Sequence, residues 1–262
     1  MINSGLQWTC LLLMNGDVME KEYPVKSLAK AMKVLECFTV QEPELGVSEI
    51  ARKLDMLKTT VYNILSTFER MGYVCQNPCT EKYYLGTRML RMAYVINNHM
   101  GLRDLFLPYL EKVAETCGEV CYLGIPQDGE VLYIESVYPS GQARLRNLLG
   151  ERAPMHCTGI GKAMLAYMEI PDKELSYHTP QTICDLAILR EEMEQVRQCG
   201  YAIDNMEHEI GIKCVAIPIF GADGQVMAAV SVSGPSMRFD EGTIQRHVQA
   251  LQNILMPLQY CL

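Results

Sequence analysis

Residues 47–74, VSEIARKLDMLKTTVYNILSTFERMGYV, are the stretch that most narrows what this chain can fold into. Val47, Ile50, Ala51 and Leu54 fall at i, i+3, i+4 and i+7, and Val61, Ile64, Leu65 and Phe68 repeat the pattern. Each set marks one apolar helix face. Asp55 to Lys58 leaves room only for a tight turn, so the two short helices must cross at a steep angle. The second helix has an outward face of Thr59, Tyr62, Asn63 and Ser66, with Lys58 and Thr60 at its start and no acidic residue among them. Small polar and aromatic side chains at such a helix start suit base edges and phosphates in a major groove. An ordinary helical hairpin with a polar face would show the same spacing, so the flanks have to separate the two readings.

The flanks favour a DNA-reading module over residues 23–86. Ser27 reads as the N-cap of a preceding helix whose stripe is Leu28, Ala31, Met32 and Leu35, with Phe38 one turn on. Pro43 to Gly46 breaks the chain before the hairpin of helices, and Gly72 stands where a C′ glycine would end the second one. Tyr73–Gln76 and Lys82–Leu85 then read as two short strands around Asn77-Pro78. Three helices followed by a β-hairpin make a winged helix-turn-helix. Lys82 is placed to touch a phosphate, with Glu81 beside it acting against that contact. Residues 87–101 form a linker helix, with Met89, Met92, Ala93 and Ile96 on one side and Leu90 and Val95 off that stripe. Apolar residues on more than one side fit packing against a second copy; packing on its own domain is the equal alternative.

Charge follows the same division. Residues 24–86 carry eight Lys/Arg against seven Asp/Glu, while residues 87–262 carry 14 against 21, within an overall net charge of −8. A near-neutral front and an acidic back fit a small DNA reader carried by a domain that does not touch DNA. Eleven cysteines without a CxxC pair exclude a zinc ribbon and a secreted disulfide framework, and read as reduced thiols of a cytoplasmic protein. Residues 1–22 read as a disordered extension that a start at Met19 would largely remove. Trp8 to Met14 is far shorter than the ~20 residues that span a membrane and lacks a basic flank, so no membrane association or signal peptide is expected.

From Leu102 a second domain runs to Leu262. A helix to Thr116 precedes strands at Val120–Ile125 and Val131–Ser136 joined by Gln127-Asp128-Gly129, with a third near Gln142–Leu145. Helices follow at Gly159–Tyr167, Pro171–Tyr177 and Ile188–Cys199, then strands at Cys214–Phe220 and Val226–Val232 and a terminal helix carrying Ile244, Val248, Leu251 and Leu255. Hairpins mixed with helices, without βαβ regularity, indicate α+β with an antiparallel sheet.

Several motifs fail on inspection. Gly159-Ile160-Gly161-Lys162 lacks the earlier Gly and following Ser/Thr of a P-loop, those positions being His156 and Ala163, and Met164 stands where a dinucleotide fingerprint needs Gly. A glycine-rich helix start still offers free N–H groups to a carboxylate. Ser231 and Ser233 alternate along a strand and share a face, as ligand donors or as ordinary strand residues; no GxSxG elbow accompanies them. His156, Cys157, His208 and Cys214 could gather around a metal, but nothing fixes their spacing, and a His beside a Cys is more often a hydrogen-bonded interior residue. No metal or cofactor is expected.

Together these residues amount to a family resemblance. Ser27-Leu28 with Ala31 and Leu35, SEIARKLDMLKTTVYNIL, GYV and YYLG resemble the DNA-binding half of IclR-type transcriptional regulators. APMHCTGIGKAMLA (153–166), the run from GYAIDN to GIKCVAIPIF (200–220) and AAVSVSGPSMRF (228–239) resemble their effector half. The resemblance implies a GAF-like α/β effector-binding domain joined by the linker helix to the winged helix-turn-helix, a homodimer or dimer of dimers, and a small organic acid as effector. It also implies a pocket lined by the Gly159 and Ile160 backbone, Asp204, Cys214, Ser231 and Ser233. Asn63 stands where many members carry Arg. The expected function is a repressor-type regulator that binds a duplex DNA operator and is not an enzyme. The rivals are a hydrolase-like enzyme using Cys214 or Ser231 as nucleophile, with the helix-turn-helix used for protein contact, and a metal sensor.

Overall fold

The computed structural model describes residues 23–99, 101–141 and 148–260, with side chains left undescribed at 96–101. The expected extension and the strand expected near Gln142–Leu145 lie outside the described residues. The described residues divide into two compact units, one up to Gly101 and one from Leu102.

In the first unit, α1 (Lys26–Glu36), α2 (Val47–Lys53) and α3 (Lys58–Met71) precede an antiparallel hairpin of β1 (Val74–Gln76) and β2 (Tyr83–Leu85). The two stripes read from sequence meet: Ile50, Ala51, Val61 and Leu65 are buried with Val34, Leu35, Phe38, Val74 and Tyr83 in one core. Leu45 exchanges two backbone hydrogen bonds of 2.9 Å with Tyr83, which ties the start of α2 to the hairpin. Gly72 adopts φ +79 and ends α3, the left-handed geometry that a residue with a Cβ resists.

Two expectations for α1 fail. Its N-cap position is Val25, with no side-chain cap, and Ser27 lies inside the first turn. Leu28 and Met32 are exposed; Leu35 and Phe38 of the expected stripe do reach the core, where Val34 joins them. Helix α4 (Arg88–His99) follows the hairpin, and Met89 packs on this core while Leu90, Met92, Tyr94 and Val95 stand exposed.

The second unit opens with α5 (Gly101–Cys117), which buries Phe106, Leu110 and Val113. A six-stranded antiparallel sheet follows: β3 (Val120–Gln127), β4 (Glu130–Val137), β5 (Arg152–Pro154), β6 (Ala202–Asn205), β7 (Ile212–Phe220) and β8 (Val226–Pro235), in the order β5-β4-β3-β8-β7-β6. Helices α6 (Gly159–Leu165), α7 (Leu186–Cys199) and α8 (Glu241–Leu255) complete the α+β unit. Residues 171–177, expected to be helical, are not; only Leu175 there packs on the core, too little apolar surface to hold a helix. The segment instead runs as a loop fixed by polar contacts. Strands β5 and β6 were not expected from the sequence. No described helix is long and apolar enough to cross a membrane.

Candidate functional site

In the first unit the outward face of α3 is presented as the spacing requires. Lys58, Thr59, Tyr62 and Asn63 are exposed, and Thr60 and Ser66 are partly so. Leu57, at the N-cap, makes no side-chain cap bond and the first turn holds no acidic residue, so the N–H groups and positive end of the helix face outward uncontested by a side chain. Thr67 donates from its hydroxyl to the Asn63 main-chain carbonyl at 2.8 Å, a bond that does not involve the Asn63 side-chain amide. Lys82 is different: its ammonium lies 2.9 Å from Glu49, whose other oxygen accepts the Gly46 N–H at 2.6 Å. These two bonds hold the Glu49 carboxyl below its ordinary range, the Gly46 bond contributing most. Lys82 is thus already neutralised by a carboxylate.

In the second unit the register assembles the expected effector residues. Ser233 pairs with Val120 on one side and Cys214 on the other, and Cys214 pairs in turn with Asp204. Two residues along the same face, Ser231 lies between Tyr122 and Ala216. Thr158 caps α6, accepting the Gly161 N–H at 3.1 Å, and the helix start rests on that face: a Cβ on Gly159 would come within 3.1 Å of the Cys214 Cβ. Gly161 has no room for a side chain, since a Cβ there would meet the Met155 backbone at 2.4 Å. Ile160 reaches the neighbouring row, where a Cβ on Gly124 would meet it at 2.8 Å. All six expected residues therefore belong to one neighbourhood, and Asp204, Ser231 and Ser233 are buried there.

Three of these side chains engage one another. The Cys214 thiol lies 2.9 Å from the Ser233 hydroxyl and also meets Asp204. Burial pushes the Asp204 carboxyl up to about 7; the Glu207 and His208 N–H groups and Lys162 oppose that shift, and the Glu207 charge adds to it. Burial, followed by the Asp204 charge, pushes the Cys214 thiol well above its ordinary value. A nucleophilic cysteine needs the opposite shift, so the geometry gives no support to thiol catalysis.

The sequence reading missed the residues that brace this neighbourhood. Lys162 is fully buried and donates to Glu192 at 2.9 Å and Glu207 at 2.6 Å. Burial alone would lower its pKa, but the two carboxylates outweigh it and the net shift is upward. The lysine that looked like a failed P-loop residue is the centre of a buried ion-pair network. One oxygen of Glu207 has no hydrogen-bond partner among the described residues. Thr179 and Thr182 donate to the Met206 and Glu207 carbonyls at 2.7 and 2.6 Å, fastening the loop before α7 to the turn after β6. His156 bonds to the Ser176 carbonyl at 2.9 Å, and burial lowers its pKa against that bond. Of the four residues weighed and set aside as a metal set, Cys214 pairs with Ser233. His156 and Cys157 are gathered with His178, which the sequence reading left out.

A winged helix-turn-helix with the outward face of α3 unobstructed, on a chain whose other unit is an α+β domain with a buried polar cluster, is the architecture of a DNA-binding regulator with an effector domain. Residues 27–78 match the IclR helix-turn-helix domain, and residues 94–256 match the C-terminal domain of bacterial IclR transcriptional regulators. The chain belongs to the IclR family. It is 30% identical to the transcriptional regulator KdgR of Escherichia coli K12 over 245 residues, covering 90% of this chain and 92% of that protein. It is 28% identical to XynR of the same organism, covering 91% and 97%. Among solved structures, the IclR regulator of Alicyclobacillus acidocaldarius superposes with a TM-score of 0.80 at 26% identity, covering 90% of this chain and 98% of that one. An IclR homologue of Microbacterium hydrocarbonoxydans complexed with 4-hydroxybenzoate gives 0.71 at 26% identity, covering 89% and 99%. This family consists of transcriptional regulators, not enzymes.

Proposed function

We propose that this regulator reads a duplex operator through Lys58, Thr59, Thr60, Tyr62, Asn63 and Ser66, and that a small organic acid bound among Gly159, Ile160, Asp204, Cys214, Ser231 and Ser233 controls its affinity. The row Asp204–Cys214–Ser233 beside the start of α6 carries the effector reading, because it concentrates hydroxyl, thiol and N–H donors where a carboxylate would be received. An ionised Asp204 would repel that anion. With its carboxyl pushed up to about 7, a large share is protonated near neutral pH, and the acid can donate to the ligand instead. The Microbacterium relative binds 4-hydroxybenzoate, an organic acid with a hydroxyl, which supports the same ligand class. The protein acts in the cytoplasm, as a homodimer or dimer of dimers. Leu90, Met92, Tyr94 and Val95 of α4, exposed on a single chain, support a second copy as their cover. Lys82 contributes to DNA contact only when a phosphate replaces Glu49 as its partner.

The effector reading is tested by screening organic acids by thermal shift and titrating hits by calorimetry against wild type and the Ser231→Ala/Ser233→Ala variant. Each lost donor to a charged ligand should cost ~1.5–3 kcal/mol, so affinity should fall tenfold or more. Equal affinity in both proteins would place the ligand elsewhere.

A further inference from the structure

The loop before α7 brings three metal-binding side chains together that no motif announces. His156, Cys157 and His178 can each place a donor atom within 4.8 Å of the other two, and His156 and Cys157 are buried while His178 is exposed. The His178 ring sits between those of His156 and His208, with centroids 6.2 and 5.2 Å away. We propose that His156, Cys157 and His178 bind a divalent transition-metal ion of the zinc class.

The donor set, two imidazoles and one thiolate, suits zinc or cobalt and is poor for magnesium or calcium, which take oxygen ligands. Ser176 supplies the outer support that such histidines need. Its carbonyl can only accept, so His156 Nε2 carries the proton bonded to it and Nδ1 keeps its lone pair. The Ser176 hydroxyl lies 2.9 Å from His178 Nε2 and can accept the corresponding proton, leaving that ring's Nδ1 free to ligate as well. One residue thus orients both rings. The Asp204 and Glu207 charges act on Cys157 in the sense that favours a cation, opposed by that of Lys162, which bonds one Glu207 oxygen.

A tetrahedral site has neighbouring donors about 3.3–3.7 Å apart, given bonds of roughly 2.0–2.3 Å, so the three groups must close by about 1 Å. His178, exposed on a loop without helix or strand, is the group able to move. On binding, the Cys157 S–H bond breaks, its electron pair forms the metal–sulfur bond and the proton leaves to solvent. The fourth position is left for water, His208 or an anionic ligand, and the bound ion would fasten the loop to the residue preceding the Thr158 cap of α6.

The test uses full-length, untagged, reduced protein stripped with chelator and titrated with Co²⁺ while visible absorption is followed. One ion per chain should bind, with tetrahedral d–d bands and a thiolate charge-transfer band. Cys157→Ser should abolish the charge-transfer band. His178→Ala, an exposed position that leaves folding intact by circular dichroism, should weaken Co²⁺ at least about 100-fold, beyond the 10–100-fold typical of losing an outer-shell partner. Zn²⁺ should displace Co²⁺ one for one. Absence of Co²⁺ binding at millimolar metal would overturn the site, and so would spectra and affinity unchanged in folded His178→Ala protein.

Discussion

The recognition face of α3 and the buried row across β6, β7 and β8 make opposite uses of polar side chains. On α3 the polar groups stand in solvent without side-chain partners that would have to be displaced, and a single apolar stripe, Val61 and Leu65, fixes the direction in which they point. On the sheet Asp204, Ser231 and Ser233 are buried, and Asp204 and Ser233 are already engaged by Cys214, so a ligand there would have to exchange partners. The first arrangement suits a partner that arrives from outside and is read edge by edge. The second suits a small molecule whose binding has to be felt by the fold.

The largest effect should come from reversing the inner side of α3. Leu65→Asp puts a charge at a position with no exposure, at a cost on the order of 4 kcal/mol or more. Loss of part of the helical circular dichroism together with all DNA binding would confirm it.

A smaller effect is expected at Asp204, and its sign depends on pH. The folded carboxyl titrates near 7 against an ordinary 3.8, so folding takes up a proton between those values. The stabilisation is complete below about 4 and is lost as pH rises through about 7. Wild type should therefore weaken between pH 5 and 8, whereas Asp204→Asn, which keeps an acceptor for the Glu207 N–H, should stay flatter. At pH 8 the variant should be the more stable by on the order of 2–4 kcal/mol in denaturant titrations. Parallel pH profiles would mean that the carboxyl is not strained by burial.

Smaller again is the effect expected at Lys58, proposed as a phosphate contact. Lys58→Ala should weaken all duplexes alike and reduce the salt slope of log affinity by about 1, read in binding isotherms across a salt series. A change in base preference instead would move Lys58 from positioning to readout.

The contrast also explains what could be read from the sequence. The outward direction of these α3 side chains was legible because all of them lie within one helix, where a 3.6-residue period alone sets direction. Ser231 and Ser233 were legible as a pair for the same local reason, the two-residue period of a strand. Their alignment with Cys214 and Asp204 depends on the pairing of three strands, and only the family motifs pointed to it. Lys162, Glu192 and Glu207 were missed because their ion pairs span 30 and 45 residues of sequence. His178 was missed because its surroundings are set by Thr179 and Thr182 grasping a distant turn, just beyond residues 171–177, which read as a helix. The exposure of Leu28 and Met32 was hidden because they share helical spacing with Leu35, which is buried, while Val34 rather than they completes the core face.

The central claim is that the outward face of α3 specifies sequence. The most direct measurement compares wild type with Asn63→Ala by selection from randomised duplexes, followed by isotherms on the preferred and singly substituted sites. An Asn amide bonded to a base edge should contribute ~1–3 kcal/mol of discrimination, so the variant should lose preference at one position in each half-site. Elsewhere its pattern, and its fold by circular dichroism, should match wild type. Unchanged base preference at every position, with unchanged affinity for the operator, would contradict the account.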